Sequence, residues 1–118
     1  MDKLSRSPDE LRAEHLRGWI SSIPGVCPIR DVQARKRCKV AGVIKNIRLD
    51  PHSGGGAIEA TIMDGTGQMK ARWLGRTSLS GIRLGVGLVM EGAPGETEGG
   101  EAVILNPLYE LVPDPEHG

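Results

Sequence analysis

The chain has 118 residues, 15 basic and 15 acidic side chains, hence no net charge, with 17 glycines, two tryptophans, one tyrosine and no phenylalanine. That length suits one domain with at most an appended element, and its core must be aliphatic. No apolar run approaches the roughly 20 residues of a membrane span, no signal-type segment opens the chain, and Cys27 and Cys38 are too few for a disulfide framework and fit no zinc spacing.

Pro8-Asp9-Glu10 after Ser7 is a helix start: serine can cap, proline suits the first turn, and the acids favour the positive end of the helix dipole. Leu11, Leu16, Trp19, Ile20 and Ile23 recur at helical spacing until Pro24-Gly25, which predicts a helix from about 8 to 22 with Trp19 as its anchor. A connector over 24–37 follows. It ends in the basic cluster Arg35-Lys36-Arg37, extended by Lys39. From Cys38 the period becomes two. Val40, Gly42 and Ile44 share one face, while Ile47 and Leu49 take the opposite parity. That switch beside a glycine predicts a bulge in a long, bent first strand, with Lys45 and Arg48 both outward.

Asp50 to Gly56 is a glycine-rich connector; its triple glycine lacks the lysine and following helix of a phosphate-binding P-loop. Strands are expected over Ala57–Met63 and Gln68–Leu74, joined by Asp64-Gly65-Thr66-Gly67. Glycine supplies positive φ there, and the Asp and Thr oxygens can hold backbone donors. Alternation then aims Lys70 and Arg72 at one side and Met69, Ala71 and Trp73 at the other. A short helical piece around Ser78–Ile82, a fourth strand over Leu88–Gly92, an acidic loop over Ala93–Glu101 and a fifth strand over Ala102–Leu105 complete the body. Tyr109 and Leu111 close it, and a disordered tail over 113–118 follows.

The fold class expected is all-β with an appended N-terminal helix: a five-stranded Greek-key OB-fold barrel over 28–112 after a helical extension over 1–27. An SH3-like barrel is the nearest competitor. The zero net charge hides a polarity. Residues 28–76 carry ten basic and four acidic side chains, and residues 77–118 carry one basic and seven acidic. Such asymmetry is a cue for a polyanionic partner; the plain alternative is that the signs interleave in space and serve solubility.

The stretches "VAGVIKNIRLDP", "IEATIMDGTGQMKARWLG", "LSGIRLGVGLVMEG" and "ILNPLYEL" resemble small actinobacterial OB-fold nucleic-acid-binding domain proteins, over about residues 28–112. The Asp-Gly-Thr-Gly turn also resembles the hairpin of OB-folds that bind tRNA anticodons or replication-fork DNA. The resemblance implies a binding surface on the outer face of strands two and three with the loops after strands one and four. Mapped here, that surface contains Lys70 and Arg72, with Glu59, Thr61 and Met63 beside them, Lys45 and Arg48 extending the patch, His52 in the first loop, and Arg76. Arg35, Lys36, Arg37 and Lys39 are further phosphate candidates.

Stacking aromatics are scarce: Trp73 is expected in the core or at a barrel end, and Tyr109 as a closing residue. Glu96, Glu98 and Glu101 should repel a polyanion, so the carboxylates are expected on the far side from the basic face. His15, His52 and His117 form no ligand set, and no nucleophile has a base nearby in sequence, so neither an enzyme, a metal, a cofactor nor a small-molecule substrate is expected. Two function classes stand. The first is a cytoplasmic binder of nucleic acid, single-stranded DNA or RNA with structured RNA included, at low sequence specificity. The second is a protein-interaction module that adapts a larger nucleic-acid-processing protein. No membrane partner is expected.

Overall fold

The computed structural model describes residues 8–51, 54–96 and 99–113. Helix α1 (Pro8–Ser21) is followed by a 3-10 turn at Ile29–Asp31 and seven strands. These are β1 (Cys38–Asp50), β2 (Ala57–Met63), β3 (Gln68–Leu74), β4 (Gly87–Gly92), β5 (Gly95–Glu96), β6 (Ala102–Leu105) and β7 (Leu108–Val112). They form one sheet in the order β5-β6-β3-β2-β1-β4-β7. All pairs are antiparallel except β3 with β6.

β1 is long enough to serve two partners. Cys38–Val43 pairs with β4, and Val43–Asp50 pairs with β2. The register shifts between Ile44 and Asn46, so Lys45 is the bulged residue. The parity switch from Val40 and Ile44 to Ile47 and Leu49 has its cause there. The core is aliphatic around one tryptophan, with Val40, Ile44, Ile58, Ile62, Met69, Leu88, Met90, Ile104 and Trp73 all buried. Trp73 meets Tyr109 edge-on at 5.2 Å between ring centroids. Trp73, 4% exposed, is inside the body and cannot stack on a base, while Tyr109 lies against it and is 39% exposed.

Three expectations need correction. The body has seven strands, not five, and among the described residues no ladder joins β5 to β7, so the sheet is not a closed barrel. Instead it is rolled. β6 lies beside β3 and β7 beside β4, yet only Asn106 and Pro107 separate them. Three Cα steps span at most about 11 Å, so the two sides of the sheet must approach through this corner. Asn106 makes the corner. Its φ of 48° is one asparagine tolerates, its N–H donates to the Arg72 carbonyl at 2.7 Å, and its Oδ1 accepts from the Leu74 N–H at 2.9 Å.

Second, the expected loop over Ala93–Glu101 contains β5, and the residues expected merely to close the body form β7. Third, Ser78–Ile82 is a turn, not a helical piece, since its Leu79 and Ile82 are drawn onto the core instead of onto one helical face.

Helix α1 packs against β1, whose Val40–Ile44 stretch is buried on both faces. Trp19, half-buried, lines a cleft with Lys39 and Val89. Among the described residues no helix is long and apolar enough to cross a membrane. The expected helical start at Ser7 and the tail beyond Pro113 lie outside the described residues.

Candidate nucleic-acid interface

The Asp-Gly-Thr-Gly turn joins β2 to β3 and holds the connector against them. Asp64 is buried, only 4% exposed. Its Oδ1 accepts from the Thr66 N–H at 2.8 Å, the Thr66 hydroxyl at 2.7 Å and the Gly67 N–H at 3.1 Å. Its Oδ2 accepts from the Ile29 N–H at 2.9 Å, and the Thr66 hydroxyl oxygen accepts from the Arg30 N–H at 3.2 Å. The turn therefore clamps the connector onto the hairpin and seats Ile29 in the core. Further along, the Arg35 N–H donates to the Pro94 carbonyl at 2.7 Å. Arg35 is held there at φ 67°, a left-handed conformation that costs a side-chain-bearing residue on the order of 1 kcal/mol.

The hairpin register places Glu59 opposite Arg72 and Thr61 opposite Lys70; β1 adds Arg48 opposite Glu59 and Asn46 opposite Thr61. One outward face thus carries Arg48, Glu59 and Arg72 in a row. Here the expected charge segregation fails. Arg72 Nη1 lies 3.2 Å from Glu59 Oε2, Arg72 Nη2 lies 3.1 Å from Asp50 Oδ2, and Lys70 Nζ lies 3.6 Å from Glu59 Oε1. The carboxylates are not on the far side: they sit between the two cations first placed at the centre. Glu59 is where it is because the turn leaves strand positions 59 and 72 directly opposed, and opposite charges across a ladder stabilise the pair.

Five residues of the expected site, Arg35, Lys36, Lys45, Arg48 and Arg76, have no side-chain partner among the described residues, and nor do Lys39 of that site or Arg17, Arg30 and Arg83 outside it. All five are exposed. Lys45 is lifted out by the bulge. Arg76 follows β3 where the Gly75 N–H donates to the Gly56 carbonyl, joining that end to the loop after β1. Two predicted cations lie elsewhere. Arg37 Nε pairs with Glu91 Oε2 at 3.2 Å, and Lys39 lines the cleft beside α1. Thr61 is 9% exposed and offers little surface. His52 lies outside the described residues.

Beside the face runs a groove of about 680 Å³ between β3, β6 and the β4–β5 loop. Arg35, Arg72, Glu59 and Glu96 line it, over an aliphatic floor of Pro94, Val103 and Leu105. The floor residues escaped the sequence reading. Glu59 was expected beside Lys70 and Arg72; its pairing with both was not, though counting back from the turn opposes it to Arg72.

Among the described residues no three His, Cys, Asp or Glu side chains gather as a metal site. Cys27 and Cys38 are free thiols; burial, and secondly the nearby Cys27, pushes the Cys38 thiol above its ordinary value, so it stays protonated.

No protein-family model matches the chain. No curated protein matches it either. Among solved structures it is similar to RecG bound to a three-way DNA junction, at TM-score 0.57 and 15% identity over 75% of this chain and 12% of that one. It is also similar to a Replication Protein A heterotrimer bound to ssDNA, at TM-score 0.48 and 21% identity over 65% of this chain and 56% of that one. The chain thus spans just over half of the second protein's chain and a small part of the first. The likeness to RecG supports an all-β OB-like fold, with the differences in strand count and closure described above.

Proposed function

We propose that this chain is a nucleic-acid-binding OB-fold protein that takes a single strand of DNA or RNA across the outer face of β1–β3 and into the adjoining groove. The observation that carries the reading is that Lys45 and Arg48 on β1 and Arg76 at the end of β3 are exposed with no side-chain partner among the described residues, as is Arg35 at the adjoining groove. On OB-folds this face and the neighbouring loops are where oligonucleotides lie. Lys70 and Arg72 serve mainly to hold Glu59 and Asp50, and Lys45, Arg48 and Arg76 meet phosphates. With stacking rings scarce, affinity rests on charge and must fall steeply with salt.

The test is fluorescence anisotropy of a labelled oligo-dT and oligo-rU, with the Lys45→Glu/Arg48→Glu variant against the parent at two salt concentrations. The double reversal should weaken binding at least tenfold at low salt. It should also flatten the log–log salt slope by about 1.4, at about 0.7 per lost single-strand phosphate contact. An unchanged affinity and slope would refute the reading.

The runner-up, a protein-interaction adaptor, draws on the cleft of about 370 Å³ between α1 and β7, where Leu108 is 69% exposed. A partner retained after nuclease treatment, and equally by the double variant, would favour it.

A further inference from the structure

The groove beside the cationic face is unlike a phosphate track. Two cations and two carboxylates line it, so it offers a polyanion no net attraction. Arg72 and Glu59 are committed to each other at 3.2 Å and form one wall. The other two, Arg35 and Glu96, have no side-chain partner among the described residues, and both are exposed. They sit on adjoining segments. Arg35 is tethered by its backbone to Pro94, and Glu96 follows two residues later in β5, held by its ladder to Ala102. Between them lies the floor of Pro94, Val103 and Leu105, with Leu105 56% exposed. The volume of about 680 Å³ admits a single flat ring system with its sugar.

A ligand that completes this groove must lie flat on aliphatic carbon, present an acceptor to a guanidinium, and present donors to a carboxylate. A phosphate satisfies Arg35 and is repelled by Glu96. Among nucleobases, guanine alone carries two adjacent donors, N1–H and N2–H, which match one carboxylate in a bidentate pair, and the O6 and N7 acceptors that match an arginine fork. Adenine and cytosine offer a single amino group and thymine a single imide N–H.

We propose that the groove reads one guanine of the bound strand, with Glu96 accepting from N1–H and N2–H and Arg35 donating to O6 and N7. This rests on the reading of the chain as a nucleic-acid binder and adds a specificity to it. Phosphates lie outside, on Lys45, Arg48 and Arg76; the base turns inward. The left-handed backbone at Arg35 acquires a role, since with the Pro94 tether it fixes the residue at the groove it helps to line.

The experiment is a panel of labelled 12-mers, oligo-dT and oligo-rU, each with one central position changed to guanine, hypoxanthine, adenine or cytosine. Hypoxanthine keeps N1–H and O6 and lacks the N2 amine. The guanine strand should bind at least tenfold more tightly than the adenine and cytosine strands, with the hypoxanthine strand between them. Glu96→Gln should bring the guanine and adenine strands to within twofold of each other, whatever the gain for every strand from the lost negative charge. Equal affinity for all central bases, with the plain strand bound, would overturn the guanine site and leave the nucleic-acid reading standing. Failure of the parent protein to bind any strand of either backbone would overturn both. A guanine preference that survives in Glu96→Gln with undiminished size would refute the assigned contact.

Discussion

Asp64→Ala is expected to lower the unfolding free energy by about 3–5 kcal/mol, each stranded buried donor costing about 1–3 kcal/mol. Three backbone N–H groups lose their acceptor, those of Ile29, Thr66 and Gly67. Thr66 is exposed, and its neighbour Gly67 half-buried, so their donors recover part of the loss from water; Ile29 is 6% exposed, and its donor does not. Ile29 also leaves its seat in the core once the clamp opens. A urea titration of variant and parent measures the difference. A loss under about 1 kcal/mol would mean that the hairpin holds its turn through the Asp64 N–H to Gly67 carbonyl contact of 3.4 Å alone, which is long for a sound hydrogen bond. Asp64→Asn should fall between the two. It keeps the shape and one acceptor, but its amide group turns a donor toward another donor. The same loosening frees the connector that leads to Arg35, so guanine preference should drop with stability in the alanine variant.

Much of this hairpin was legible in advance, and for a clear reason. β3 alternates cleanly, β2 sets Ile58, Ala60 and Ile62 on one face, and the turn between them contains the residues its geometry demands; their bounds come out as Ala57–Met63 and Gln68–Leu74. The bulge at Lys45 was legible too, because a parity switch within an apolar pattern has few other causes. β5 was not. Two residues, Gly95 and Glu96, have no periodicity to read, and they are a strand only because β6 lies alongside. β7 was missed because Asn106-Pro107 reads as a stop, whereas the asparagine side chain continues the ladder around the corner.

The site was half legible. The abundance of cations between residues 28 and 76 was plain, but their pairing was not. Asp50 is 22 residues from Arg72 in sequence, and the two meet only across three strands whose register the bulge and the turn jointly set. Composition therefore named the cation-rich region and not which of its cations are paired. The expected middle pair, Lys70 and Arg72, is neutralised by Glu59 and Asp50, and charges without a side-chain partner among the described residues include Lys45 and Arg48 on β1, Arg76 after β3, and Arg35 and Lys36 in the connector.

Gly42→Ala is expected to cost about 3 kcal/mol, the upper end of what overpacking exacts. Gly42 lies where β1 leaves β4 for β2: it pairs with Leu88, and the next residue, Val43, pairs with both Gly87 and Met63. A Cβ there would lie 2.7 Å from the Met63 carbonyl oxygen and 3.0 Å from its carbon. No rotamer relieves that contact, because both atoms are backbone, so one strand must shift against the other where β1 bends. Gly18→Ala is the matched control. Gly18 is exposed in α1 with no atom within 4 Å of its would-be Cβ, and the same methyl there should raise stability by up to about 1 kcal/mol through helix propensity. Thermal or urea unfolding of the two variants should therefore move in opposite directions. Met63 directly precedes Asp64, so the strand end that Gly42→Ala displaces is the one that Asp64 anchors. In the Gly42→Ala/Asp64→Ala double variant the two losses should sum to less than their separate values, because a strand end already released by the first change has less to lose by the second.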